Sequence, residues 1–384
     1  MKLKFTVTLV CISFAVKFVS AEERDDEFKP TITSYLNVQF WNAFSESVQT
    51  TDGELAARSA FYFRRIRPGI KGEVLPRLSY NLMLTLDYLG IPENISLKGK
   101  APGGVNVWSF CMTYKVGKSD WLNVTGGYFL PHISREATTS PWTVSSLDKA
   151  ETSNYLRYFV TGKANGVAPG INIGGTGKAG KSFLTYNFAM VNRQDATSIQ
   201  TEQWSPVFMG HGMITFGAPE LKKYKFTFSN NQLRKQTSLS LGAGFSKQGQ
   251  TDTFKSSGTY SFDLMAYFGS LKIDGEVDRL VRKTSEKYEA SCLMGRMSYN
   301  IFLKKGLVLE PTVMYEHFTG DDTGAYFDGK DSRLDLGINL ISIVRKVKLN
   351  LHYVLFDGEG ENNRYVKNGR YPGNYAVLGL QFQI

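Results

Sequence analysis

The stretch Phe63-Arg-Arg-Ile-Arg-Pro-Gly-Ile-Lys-Gly72 concentrates positive charge at Arg64, Arg65, Arg67 and Lys71. Guanidinium forks and an ammonium in water attract anions, and a row of them lets an anion step from one to the next. In an extended strand Arg65, Arg67 and Lys71 share a face, about 7 Å apart for the first pair and about twice that for the second. Arg64 has the other parity and is expected at a rim or a subunit contact. Arg135, Lys149 and Arg157 extend the set of candidate pore-lining, anion-binding residues. The competing reading is a basic wall balanced by carboxylates opposite. Asp263, Asp274, Glu276, Asp278, Glu310, Glu316 and Asp335 all fall on inward positions by the same parity rule.

Other motifs carry less. Gly175-Thr-Gly-Lys-Ala-Gly-Lys-Ser182 matches the phosphate-binding P-loop pattern, whose mechanism needs a helix to follow. The residues that follow, Phe183 to Val191, are β-rich, so this reads as a glycine-rich turn between strands. The histidines His132, His211, His317 and His352 lack zinc-ligand spacing, so no metal or other cofactor is expected. Residues 357–363 are acidic, but their spacing is not that of a calcium loop. No nucleophile–base set argues for an enzyme. Three cysteines exclude a disulfide scaffold and leave open whether Cys111 and Cys292 pair.

The elements that position the cations are strands. In 384 residues, 42% are hydrophobic, 13% aromatic and 21% charged, with 37 Gly, 12 Pro and a net charge of +10. That mix favours strands and turns over helices. Beyond the N-terminus no run approaches the ~18 apolar residues of a spanning helix. Met1–Lys4 is basic, Phe5–Val16 apolar, and Val19-Ser20-Ala21 offers a cleavage site, so residues 1–21 read as a signal peptide. A lead-in, 22–31, and one barrel, 32–384, follow. Apolar and polar residues alternate with period two, as at Tyr260–Phe268, Leu334–Leu340 and Val347–Leu355.

The expectation is an all-β, transmembrane antiparallel barrel of about 16 strands, with 155–173 among them. Short connections (73–75, 118–119, 270, 303–305, 344–345) alternate with longer ones (45–56, 89–104, 131–154, 283–288, 320–331, 358–372). Short periplasmic turns and long extracellular loops would produce that rhythm; 218–236 breaks it. Residues 131–154 are expected to fold inward and narrow the pore. The alternative is an outer-membrane barrel with an enzymatic or structural and adhesive role rather than an open channel, which would be narrower, roughly 8–12 strands.

Several segments resemble the phosphate- and polyphosphate-selective porin family (porin O and porin P) in its Bacteroidetes-type form. They are Phe63–Gly72, Gly127-Tyr-Phe-Leu-Pro131 with Arg135-Glu136, Leu241-Gly-Ala-Gly-Phe-Ser246, and Leu309-Glu-Pro311 with Tyr315. The resemblance implies an outer-membrane porin, a homotrimer of sixteen-stranded barrels in lipid with one loop folded inward. It also implies that small anions such as phosphate are the partners, with no nucleic acid among them. Replacing Arg65, Arg67 and Lys71 together by Gln keeps hydrogen bonding and removes their charge. The barrel is expected to assemble, while the anion-to-cation permeability ratio, read from reversal potentials, falls several-fold, most at low salt where screening is weak.

Overall fold

The computed structural model describes residues 28–49, 55–91, 104–163, 165–193, 204–322, 327–359 and 373–384. The signal peptide read at 1–21 and most of the acidic stretch lie outside these residues.

The strands are β1 (Thr33–Gln49), β2 (Leu55–Leu75), β3 (Leu78–Thr85), β4 (Asn106–Lys115), β5 (Asn123–Phe129), β6 (Ala168–Ala179), β7 (Ser182–Val191) and β8 (Val207–Gly217). Then come β9 (Gln236–Gln248), β10 (Ser256–Gly269), β11 (Leu271–Lys283), β12 (Lys287–Tyr299), β13 (Leu307–Gly320), β14 (Gly329–Ser342), β15 (Val347–Glu359) and β16 (Tyr375–Gln383). Ile301–Phe302 carries the edge of β12 further along β13. Each strand pairs antiparallel with its sequence neighbours. β16 closes on β1 in register from Asn37↔Gln383 to Ser45↔Tyr375. The result is a closed sixteen-stranded barrel.

Alternation explains why these segments are strands. On β10, Tyr260, Phe262 and Phe268 are exposed, while Ser261, Asp263, Met265 and Tyr267 are buried. On β15, Leu349, Leu351 and Leu355 face out, and Lys348, Asn350 and His352 face in. Strands of this kind offer lipid one apolar face and keep their polar groups inside.

Two expectations need correction, and the break in the rhythm at 218–236 finds a structural reason. Residues 155–173 are not one strand: they contain a helix, Thr152–Thr161, before β6 starts at Ala168. The segment sits in the lumen beside no free strand edge, so its backbone must satisfy itself, and only a helix does that. Buried Tyr155, Leu156, Phe159 and Val160 follow helical spacing, and Tyr155 stacks on Phe318 at 4.1 Å. Gly162, at φ 78°, ends the helix and donates its N–H to the Tyr158 carbonyl at 2.9 Å. The 283–288 connection is also shorter than expected, only 284–286. Finally, the long 218–235 connection turns into the barrel from the short-turn rim. Its Phe228 is buried, and its backbone meets the 130–167 segment, Ser140 N to Phe228 O at 2.9 Å and Asn231 N to Thr143 O at 3.0 Å.

The 130–167 segment holds two helices, α1 (Arg135–Thr138) and α2 (Thr152–Thr161). It is moored to the wall by the inward carboxylates. Glu276 accepts from Ser134 Oγ and from Glu136 N, both at 2.7 Å. Glu310 accepts from Ser145 Oγ at 2.8 Å, Asp335 from Leu147 N at 2.7 Å, and Glu316 from Thr152 N at 3.1 Å. Gly244 lies under the Ile133 carbonyl so closely that any Cβ would collide. Arg296 bridges Glu136 on the segment and Asp274 on β11, at 2.7 Å to each. Arg296→Met leaves both carboxylates buried without their cation, a cost of about 3–5 kcal/mol. The barrel is expected to form while the inner segment loses its mooring. Single-channel conductance should rise at unchanged far-UV strand signal; an unchanged conductance would show that Arg296 does not hold the segment.

Candidate functional site

The lumen is divided unequally. The infolded segment lies against the carboxylate-rich wall, and a cavity of about 860 Å³ remains between it and β1–β5. Its lining runs from Lys163 and Asn165 near the long-connection rim to Lys346 and Gln383 near the short-turn rim. Arg64, Arg65, Arg67, Lys71, Lys149, Arg157, Lys163 and Lys346 line it; the only acidic side chains among its lining residues are Asp87 and Asp148.

Strand direction sets the order of the cations on β2. The chain descends from Leu55 to the Pro76-Arg77 turn, so Arg64 and Arg65 lie deep, Arg67 next and Lys71 nearest the short-turn rim. Arg64 corrects its expected place at a rim. The β1–β2 register jumps from Gln39↔Arg65 to Phe40↔Phe63, a bulge that skips Arg64 and lets both arginines turn inward. Arg64 is 5% exposed and gives Nε and Nη2 to Asp148 Oδ2 at 3.0 and 2.7 Å. Its guanidinium lies 4.5 Å from the Tyr88 ring.

Arg65 donates Nη2 to Asp148 Oδ1 at 2.6 Å and Nη1 to Gln39 Oε1 at 2.5 Å. Asp148, carried by the infolded segment, is therefore gripped by two cations and leaves a net positive charge. Arg67 gives Nη2 and Nε to Asp87 at 2.7 and 3.3 Å and lies over the Trp108 ring at 3.6 Å. Burial would raise the Asp87 carboxyl, but Arg67 outweighs it and holds the group below the ordinary carboxylate range.

The lysines are held differently. Lys71 is exposed, its ammonium 5.6 Å from the Tyr35 ring. Lys149 is buried and donates to the Ala137 carbonyl at 2.7 Å. Burial, with Arg157 nearby, pushes its amine well below the ordinary lysine value. Lys163 sits 6.0 Å from the Tyr128 ring. Arg157, on α2, bonds the Ser153 carbonyl and the Asn154 side chain.

Five expected residues, Arg65, Arg67, Lys71, Lys149 and Arg157, thus line one cavity. Arg135 does not join them. It lies behind the segment, bonded to Glu220 of the 218–235 connection at 2.5 and 2.7 Å. There it sits over Phe228, and His132 packs between Phe226 and Phe228. Sequence reasoning missed Arg64, Lys163 and Trp108. A signal existed for Arg64: adjacent arginines in one strand cannot both avoid lipid, where charge costs about 2–4 kcal/mol, unless the strand bulges.

The carboxylates of β11, β13 and β14 are acceptors for the infolded segment rather than counter-ions of the β2 arginines. The P-loop-like stretch is the β6–β7 hairpin, turning at Gly180 after the Ala179↔Ser182 pair. Cys111 and Cys292 are free, buried thiols.

The fold is shared with solved porins. An anion-selective porin from Comamonas acidovorans matches with a TM-score of 0.61 at 13% identity, over 93% of this chain and 100% of that one. Salmonella typhi OmpF, in complex with daunomycin, gives 0.58 at 10%, over 92% and 97%. The outer membrane channel DcaP of Acinetobacter baumannii gives 0.57 at 12%, over 92% and 97%. No curated protein sequence matches the chain. A family model for phosphate-selective porin O and P matches residues 36–384, and the chain belongs to that family.

Proposed function

We propose that this outer-membrane porin passes small hydrophilic solutes and ions with a preference for anions, phosphate among them, and works as a homotrimer. The observation that carries the preference is the sign of the cavity wall: eight basic side chains against Asp87 and Asp148. Rings and rows of one sign set which ions enter a wide aqueous pore. Asp87 cancels Arg67, and Asp148 cancels one of Arg64 and Arg65; the other arginine and the lysines Lys71 and Lys163 carry the remaining charge. We take the infolded segment, which supplies Lys149 and Arg157 to the opposite side, as the constriction. The fold and the family support a channel rather than an enzyme, with the long connections outside and the short turns in the periplasm. The trimer rests on the family and on the fold shared with porins.

The test is the reversal potential of the purified oligomer in a KCl gradient, followed by inorganic phosphate added to the chloride current. A chloride-preferring pore whose current phosphate reduces is the expected outcome; a cation-preferring pore overturns the proposal. The preference should also weaken with pH. Lys149 loses its proton well below the ordinary lysine value of about 10.4, so over the range in which exposed lysines stay charged, rising pH removes positive charge beside the infolded segment. The anion-to-cation ratio should fall over that range in the native protein and hold steadier in Lys149→Arg, which stays protonated. Parallel curves for the two would remove Lys149 as the titrating group.

A further inference from the structure

We propose that the anions this cavity favours carry a flat apolar body: small aromatic carboxylates in preference to bare inorganic ions. This rests on the anion preference above and names the class of solute that uses it. The observation behind it is the placement of Trp108. On β4, Phe110 and Met112 face outward and are exposed, and Trp108 has their parity. A tryptophan there could sit in lipid or at its interface at no cost. Instead the β3–β4 register runs from Met83↔Ser109 to Leu84↔Val107, skipping Trp108 and turning the indole into the lumen. Bulges of this kind re-aim side chains beside functional sites.

Trp108 has apolar company. Trp142 from the infolded segment, with Tyr35, Tyr128, Met83 and Leu130, lines the same cavity. The lumen of an outer-membrane barrel is ordinarily polar, so these apolar lining residues need a reason. An aromatic face is electron-rich and offers a bare anion nothing, whereas a flat apolar body packs against it.

The charges divide accordingly. Arg67 spends its fork on Asp87 and its face on Trp108, so it is a positioning residue that fixes the indole. Lys71 and Lys163 make no ion pair among the described residues and supply the attraction for a carboxylate. An aromatic acid satisfies both halves of the wall at once: its carboxylate meets an ammonium and its ring meets the Trp108 indole. Chloride, phosphate and acetate satisfy only the first.

The test uses the native oligomer in planar bilayers in KCl, with benzoate, acetate or inorganic phosphate added singly and the half-blocking concentration of each recorded. Benzoate should block at roughly three- to tenfold lower concentration than acetate, the effect of one aromatic contact. Trp108→Leu should close most of that gap; if that variant does not assemble, Trp142→Leu, which leaves the barrel wall intact, takes its place. Equal block by benzoate and acetate in the native protein overturns the inference, as does a gap that survives loss of the indole. The native reversal potential separates the two readings. A chloride-preferring pore with no benzoate advantage sinks the aromatic inference alone, and a cation-preferring pore sinks both.

Discussion

Lipid offers a backbone no hydrogen-bond partner, so a sheet that crosses it must have no edge. The pairing of β1 with β16 meets that demand, and the other features of the molecule follow from it. Sixteen strands enclose a lumen too wide for side chains to fill. This chain fills part of it with its own 130–167 segment and 218–235 connection. Backbone placed there is shielded from bulk water and needs partners of its own. Glu276, Glu310, Glu316 and Asp335 supply them, accepting N–H or hydroxyl donors from the segment at 2.7–3.1 Å. The carboxylates and the helices are thus one device, and neither is stable in that space without the other.

That device decides the sign of the open path. With the acidic wall covered by the segment it binds, the solvent-filled remainder lies against β1–β5, where the basic residues stand. Charge segregation therefore needs no excess of cations over the whole lumen. Arginine and lysine divide the labour for a geometric reason. A planar fork matches a carboxylate on two nitrogens, which suits Arg64 to Asp148 and Arg67 to Asp87. An ammonium on a flexible stem forms no such fork, and Lys71 and Lys163 are left facing the cavity beside aromatic rings.

Period-two alternation made the barrel legible, because a strand between lipid and water has two different faces and a one-residue slip reverses both. It also located the inward carboxylates and most of the β2 row. It failed where the period itself fails. At Arg64 and Trp108 a bulge shifts parity by one, and nothing in the apolar pattern marks the shift. The second failure was local propensity. Tyr155-Leu-Arg-Tyr-Phe-Val160 is rich in β-formers, yet it has no strand beside it and forms a helix. Its contacts are long-range, Phe318 for Tyr155 and Tyr288 for Phe159, and local preference does not encode them. Arg135 was misplaced for the same reason: its partner Glu220 lies in a connection that only the folded lumen brings near.

The ion pairs of Asp148 also have a kinetic consequence. A pore must attract its ion strongly enough to admit it and weakly enough to release it. Two bare guanidiniums side by side would hold a phosphate-like anion in a bidentate grip and stop the current. Asp148 prevents this by occupying the fork of Arg64 and one arm of Arg65. The pair still carries net positive charge, so the field remains while the tightest geometry is already taken. Because Asp148 rides on the infolded segment, that segment also sets how hard the path holds what passes through it.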